Sequence, residues 1–354
     1  MRLRPLPQAP EIRVSEFGIG LWSWTSDMWP AVDPKDARRW IARAIDRGVN
    51  YFQAGDAYTS GTRAGVAEEI LRGAPREKIV VATTVGHHVY GPERHPVHGF
   101  PHFTRVIPRA EWAAYVKRAC EGSLERLGTD HVDVLQLHNP PTLEATTSDE
   151  IRGAFEDLKT AGKIRAYGLA LGPANGWREE GTEGLRAMRP ASLMVIFSLF
   201  EPYPGEIFYW ASRFSRTGVS ARVSLASGML AGYYRPGMNF PDHRKYRTAM
   251  DPEWIAKALR RCETLGFLTS QRTLAQAALR YTLDRFPDVS VSTVPTLYND
   301  PEAPPMEDRI DEYAAISDVP ALSAEEIAEI ERLRASRFGI QDDDMVLKGA
   351  ATVA

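Results

Sequence analysis

The sequence predicts an α/β fold, a (β/α)8 TIM barrel with an N-terminal hairpin, long loops at its mouth and an extra C-terminal helix. Three observations carry this. Short apolar runs of strand-favouring residues recur eight times and alternate with longer helix-like stretches, the rhythm of a parallel sheet with helical crossovers. The run at 49–52 is punctuated by Gly48 and Gly55 and lies between helix-like stretches at 37–47 and 64–71. The 354 residues, 44% of them apolar, suffice for one such barrel and contain no shift in composition that marks a second domain. The chemistry of such barrels sits at the carboxyl ends of the strands. That rule places Gln53, Asp56 and Tyr58 at the mouth.

Taken in order, residues 11–20 alternate and then run apolar, as a short hairpin leading into the first strand would. Trp22, Trp24 and Trp29 follow, large rings at a strand's carboxyl end, and are expected to line a ligand pocket. Asp33-Pro34 opens the first long helix, an N-cap with Pro in the first turn. The second strand is 49–52 and the third 78–85. A loop at about 86–108 holds five of the eight His, including His87, His88, His95, His98 and His102. Its length suggests a lid or binding loop. Helix is expected at 110–127, strand at 130–137 ending in His138-Asn139, and helix at 148–161 with Gly162 as its C-cap. Strands at 163–171 and 191–199, a helix at 205–216 and a strand at 219–225 follow. A second irregular stretch, about 227–250, lies over the mouth. Helices from 252 and at 273–285 lead to the eighth strand, 288–294. A helix at 323–334 has an acidic first turn that complements its dipole, and about 335–354 reads as a polar tail.

Composition narrows the function classes. With 43 basic and 46 acidic residues the net charge is -3, and no basic face suggests a nucleic-acid partner. The first ten residues lack the apolar core of a secretion signal, and no apolar run approaches membrane-spanning length. The expectation is a cytoplasmic protein acting on a small molecule, its oligomeric state open. Cys120 and Cys262 read as buried, reduced thiols.

The stretch Gly48-Val49-Asn50-Tyr51-Phe52-Gln53-Ala54-Gly55-Asp56-Ala57-Tyr58 resembles the second-strand signature of the aldo-keto reductases. Further matches are the third strand, Asp133-Val134-Leu135-Gln136-Leu137-His138, Gly162-Lys163-Ile164-Arg165-Ala166-Tyr167-Gly168, Leu225-Ala226-Ser227-Gly228-Met229-Leu230-Ala231-Gly232 and Leu274-Ala275-Gln276-Ala277-Ala278-Leu279-Arg280-Tyr281. Together they cover nearly the whole chain. The resemblance implies a catalytic set of Asp, Tyr, Lys and His, in which a Lys held by the Asp lowers the Tyr pKa and the His orients a carbonyl. Tyr58 and His138 match. Gln53 stands at the Asp position and Thr84 at the Lys position. Losing both together is coherent, because either charge alone would be stranded in the barrel. A neutral Gln53–Thr84 pair is the expected replacement, with His87 and His88 as candidate cations near Tyr58.

The same resemblance implies a nicotinamide site, and it is eroded. The positions that should hold the carboxamide are Ala170, Leu171 and Met194, which cannot pair an amide firmly. Phe197 or Phe200 stands where a ring would stack, Leu225 and Gly228 lie in the motif after the seventh strand, and Tyr233 replaces a Lys. The turn at 295–300 has neither Gly nor Arg to grip a phosphate. The favoured reading is therefore a redox-neutral dehydratase, isomerase, cyclase or lyase, using Tyr58 and His138 as acid and base, with Asn139 in the pocket and no cofactor. An NADPH-dependent carbonyl oxidoreductase with an atypical catalytic set is the first alternative. A catalytically inactive binding subunit is the second. The loop His residues with His138 have metal-ligand types but loose spacings, so no metal site is expected.

Overall fold

The computed structural model describes the chain except residues 26–29, 31, 59–62, 92–100, 173–177, 204, 236–237, 239–251, 287, 300–302 and 340–354. Trp29, His95, His98 and the expected tail beyond 340 lie outside the described residues, as does most of the stretch at 227–250.

A hairpin opens the chain. β1 (Leu3–Leu6) pairs antiparallel with β2 (Ala9–Ser15). It lies earlier than the sequence pattern suggests, because β2 itself carries the alternation in which Ile12 and Val14 turn inward. Ile12 and Val14 pack with Tyr51, Val80, Ala82, Val134, Ala166 and Val294. The hairpin therefore plugs the amino-terminal end of the barrel and leaves the carboxyl end for chemistry.

Eight parallel strands follow. They are β3 (Gly18–Gly20), β4 (Tyr51–Gln53), β5 (Val80–Val85), β6 (Val132–His138), β7 (Ile164–Ala170), β8 (Ser192–Ile196), β9 (Gly218–Arg222) and β10 (Val291–Val294). Neighbours pair in sequence order. Parallel bridges Phe17–Thr293 and Gly20–Thr296 bring the last strand back to the first. The result is the expected (β/α)8 barrel. Polar pairs cross its interior: Tyr51 Oη lies 2.9 Å from Ser220 Oγ, and Gln136 Nε2 donates to Ser192 Oγ at 3.2 Å.

The helices are α1 (Trp22–Thr25), α2 (Pro34–Asp46), α3 (Val66–Leu71), α4 (Trp112–Leu127), α5 (Leu143–Thr147), α6 (Asp149–Thr160), α7 (Arg178–Met188), α8 (Gly205–Ser215), α9 (Pro252–Thr264), α10 (Leu274–Asp284), α11 (Met306–Ala314) and α12 (Ala324–Ala335). Local chemistry explains their starts. Asp33 caps α2 by accepting from the Lys35 amide at 2.8 Å, Ser148 caps α6, and Thr273 and Ser323 form capping boxes on α10 and α12. One of these helices, α7, is poor in large apolar residues. α7 buries Gly181 and Gly184 where a larger side chain would strike Phe208, Leu171 or Leu169, so much of its packed face is bare backbone. α11 buries an apolar face at i, i+4, i+7 and i+8, Met306, Ile310, Tyr313 and Ala314, with Arg309 buried beside it.

Candidate active site

The site grows from the end of β4. Ala54 N–H donates to Ala82 O and Asp56 N–H to Thr84 O, which keeps the chain beside β5 past the strand's end. Tyr58 N–H then closes a turn on Gly55 O at 3.1 Å and folds the Tyr58 ring back over β4. Gly55 permits this turn, since a Cβ there would collide with the Thr84 hydroxyl and crowd the Tyr58 ring. The Tyr58 hydroxyl reaches Gln53, 3.0 Å from Nε2 and 3.1 Å from Oε1. Gln53 Nε2 also donates to Ala54 O at 2.8 Å.

The expected Gln53–Thr84 pair does not form. Gln53 is spent on Tyr58 and Ala54, and the short Thr84 side chain is buried with its Oγ1 unpartnered. Asp56, just past the end of β4, is fully buried and under the influence of Glu68 of α3 and Arg126 of α4. Burial, with Glu68 nearby, pushes its carboxyl well above the usual range.

His138 ends β6, in register with Ala170 of β7. Its ring meets Tyr58 edge-on at 5.7 Å between centroids, and His87 at 4.9 Å. Gly86 lets these groups close up, because a Cβ there would press on His138 O and His102 Nε2. His138 Nδ1 is buried without a partner. Next to it Asn139 adopts a left-handed backbone, φ 47°, donates its N–H to Ala170 O, and leaves Oδ1 buried and unpaired. Tyr58, Gln53, His138, His87 and Asn139 are thus grouped by the fold. His88 is not, since its ring packs on Tyr115 of α4 at 5.6 Å.

Trp22 is half-buried, at the start of α1. Trp24 is core: its Nε1 donates to Leu297 O at 2.9 Å and its ring meets Trp40 of α2 edge-on. The short helix α1 turns it inward, where an extended strand end was expected to project it into the mouth.

Electrostatics keep both central groups neutral. Burial raises the Tyr58 pKa, opposed by Arg222 and the Gln53 hydrogen bond and reinforced by Asp56. Burial pushes the His138 pKa well below its usual value, helped by His87, Arg222 and His102. His102 is likewise held neutral, chiefly by burial, with His87 and Arg105 adding to the effect.

Arg222 brings to the site a charge that the sequence reading did not assign to it. It ends β9 and its Nη2 donates to Leu171 O at 2.6 Å, one residue past the Ala170 that flanks His138. Its charge acts on both Tyr58 and His138. The next residue, Val223, is forced to φ 58°, a conformation that a β-branched side chain resists. The available sequence signal is a lone charge inside the apolar run at 219–225.

The positions matched to a nicotinamide site do not offer polar side chains for a carboxamide. Ala170, Leu171 and Met194 are buried, and their backbones are committed: Leu171 N–H to Met194 O, Leu171 O to Arg222, and Ala170 O to Asn139. Phe197 is not a platform at the mouth. It is fully buried, stacked on Tyr281 of α10 and against Tyr209 of α8. Phe200 packs on Phe338. Leu225 is buried below a turn in which Ala226, Ser227 and Gly228 all take positive φ, 46°, 53° and 88°. Among the described residues no cluster of three or more His, Cys, Asp or Glu could hold a metal, and no helix is long and apolar enough to cross a membrane.

Comparison with known proteins agrees with this barrel. A model described as the aldo/keto reductase family matches residues 16–335. The chain is 32% identical over 233 residues to the uncharacterized oxidoreductase YrpG of Bacillus subtilis (strain 168), which covers 62% of this chain and 66% of that protein. It is 25% identical to the aldo-keto reductase YhdN of the same organism, over 77% of this chain and 79% of that one. Among solved structures, the holo form of aldo-keto reductase AKR11C1 from Bacillus halodurans superposes with TM-score 0.68 at 26% identity, covering 94% of this chain and 96% of the other.

Proposed function

The chain belongs to the aldo/keto reductase family, and from that premise we propose an enzyme that moves a proton within a small molecule and transfers no hydride. The observation that carries this is the neutral Gln53–Tyr58 pair, standing where the family resemblance implies an Asp- and Lys-activated tyrosine. The alkyl side chains of Ala170, Leu171 and Met194 support it, since the nicotinamide end of a cofactor finds no amide partner there.

In this reading Tyr58 is the acid and His138 the base. Tyr58 keeps its proton until a substrate oxygen develops charge beside it, because burial holds its pKa up. Gln53 Nε2 can donate to the phenol oxygen, which frees the phenolic proton for substrate. His138, held neutral, has a lone pair to accept a proton from carbon. A carbonyl compound bound between them would lose an α-proton to His138 and gain one on oxygen from Tyr58, giving an enol. Delivery of that proton by His138 to a different carbon, with the enol proton returning to Tyr58, completes an isomerisation; in an elimination the β-substituent leaves with its bonding pair and takes the proton from His138, while the enol proton returns to Tyr58.

A second reading, NADPH-dependent carbonyl reduction, is favoured by one feature. The left-handed run at Ala226, Ser227 and Gly228 resembles the backbone turns that gather N–H groups around phosphates. Titration with NADPH, followed by the fluorescence of the eight Trp, separates the two readings. No saturable change up to ~1 mM supports proton transfer; a Kd of ~10 μM or tighter overturns it in favour of reduction.

A further inference from the structure

The geometry points to Arg222 as the receiver of a substrate carboxylate, which makes this enzyme's substrate a carboxylic acid with its reacting carbon between Tyr58 and His138. This rests on the acid–base reading above and adds the substrate class to it.

Three observations carry the inference. Arg222 is the last residue of β9, so it stands at the carboxyl end of the barrel, where ligands of such barrels bind. Its side chain crosses the top of β8 to reach Leu171 O, just beyond β7. That path carries the guanidinium toward the β6–β7 side, where His138 and Asn139 lie. The backbone around it is strained in a directed way. Val223 takes φ 58° immediately after Arg222, and Ala226 and Ser227 follow with positive φ. Such strain persists where the surrounding structure fixes a side chain for a task.

Arg222 is also chemically suited. The Leu171 carbonyl holds Nη2 and so orients the guanidinium, whose planar fork matches the geometry of a carboxylate. The charge does not sit on Tyr58 through a hydrogen bond, since the Tyr58 hydroxyl is engaged with Gln53. Arg222 influences Tyr58 through its charge, and a group at that strand end can bind one end of a substrate while Tyr58 and His138 work on the other. A guanidinium near the site also stabilises the negative charge that grows on an enolising carbonyl.

The test uses the full-length protein with two probes, phenylpyruvate and its methyl ester, in two assays. One is fluorescence titration; the other is exchange of the C3 protons in D2O, followed by NMR. Wild type is expected to bind the acid at least ~10-fold more tightly than the ester, the scale of one charge-assisted hydrogen-bonded pair. Arg222→Gln removes the charge and should erase that preference, bringing acid and ester affinities within ~2-fold of each other. Equal acid and ester binding by wild type, no saturable acid binding up to ~50 mM, or full acid preference in Arg222→Gln would each overturn the inference. The wild-type comparison needs no folded variant. Exchange reads the acid–base proposal separately. Acid preference without enzyme-accelerated exchange supports Arg222 and counts against Tyr58 and His138 as acid and base. Accelerated exchange of acid and ester alike does the reverse.

Discussion

The Tyr58 hydroxyl sits almost equidistant from the two ends of one amide, 3.0 Å from Gln53 Nε2 and 3.1 Å from Gln53 Oε1. A neutral amide positions the phenol without drawing off its proton, so Tyr58 remains an acid. Tyr58→Phe should therefore lower proton transfer, read as exchange or turnover, by ~10² or more. Its stability should fall by only about 1 kcal/mol, since one hydrogen bond is lost and Gln53 keeps Ala54 O. A wild-type rate in Tyr58→Phe would move the acid elsewhere.

His138 is expected to behave as a base that never charges in the resting enzyme. Its burial, with His87, Arg222 and His102 near, depresses its pKa well below the usual imidazole value. The pH–rate profile should then be flat through the ordinary histidine range on the acid limb, with no inflection near ~6.5. His138→Ala should cut the rate by ~10² or more. An inflection near the normal histidine value, lost in His138→Ala, would contradict a neutral resting imidazole.

Gln53 and Thr84 lie on adjacent strands, Gln53 opposite Ala82 and Thr84 two residues on. The pair of substitutions Gln53→Asp and Thr84→Lys should be strongly coupled. Thr84→Lys alone buries an ammonium without a partner and should cost about 3–5 kcal/mol in urea unfolding. Adding Gln53→Asp should recover at least about 1 kcal/mol of that loss. Additive losses would mean that the two sites do not face one another.

The fold was legible because its signals are local. Caps such as Asp33, Ser148, Thr273 and Ser323, and the apolar runs of the strands, are read from a few neighbouring residues. α7 was not legible, because Gly181 and Gly184 pack through backbone and the helix is poor in large apolar residues. In the site, Tyr58, Gln53, His138 and Asn139 follow from their places at strand ends. Trp24 and Phe197 did not, since a ring at a strand's end can face inward or outward, and here α1, α8 and α10 draw both into the core. Arg222 was hidden because its role depends on a reach across β8 to Leu171, which no local pattern encodes.

Phe197→Ala discriminates core from cofactor platform. Phe197 is enclosed by Tyr209, Tyr281 and Phe286, so its truncation should cost about 3–5 kcal/mol and lower the unfolding midpoint in urea. The Arg222-dependent binding of a carboxylate should stay within ~3-fold of wild type, since no part of the ring faces the mouth and a buried cavity leaves the strand ends in place. A small stability loss together with a large loss of binding would place Phe197 at the ligand after all.

Glu201 gives the protein a pH-dependent stability of unusual sign. It lies just past β8, its N–H donating to Ser198 Oγ, and burial raises its carboxyl to about 7 although Arg261 opposes the shift. Arg261 is held between Phe200 and Phe338, and its own burial lowers it to about 10. The native state therefore binds a proton at Glu201 that the unfolded chain, with a carboxyl near 4.5, has already lost. Protonation is favoured in the fold, so stability is highest below about 4.5 for this group and declines as pH rises to about 7. Above that both states are ionised and the contribution is constant. The decline amounts to about 3 kcal/mol, since the two values differ by roughly 2.5 units. Asp56, raised well above its usual range by burial, acts in the same direction, so the measurement must isolate Glu201. Urea unfolding of wild type and Glu201→Gln at pH 5.5 and 8.5 does so. The variant should lose distinctly less stability than wild type between the two pH values, by on the order of 2 kcal/mol. Parallel losses in the two proteins would show that Glu201 ionises as an ordinary surface carboxylate.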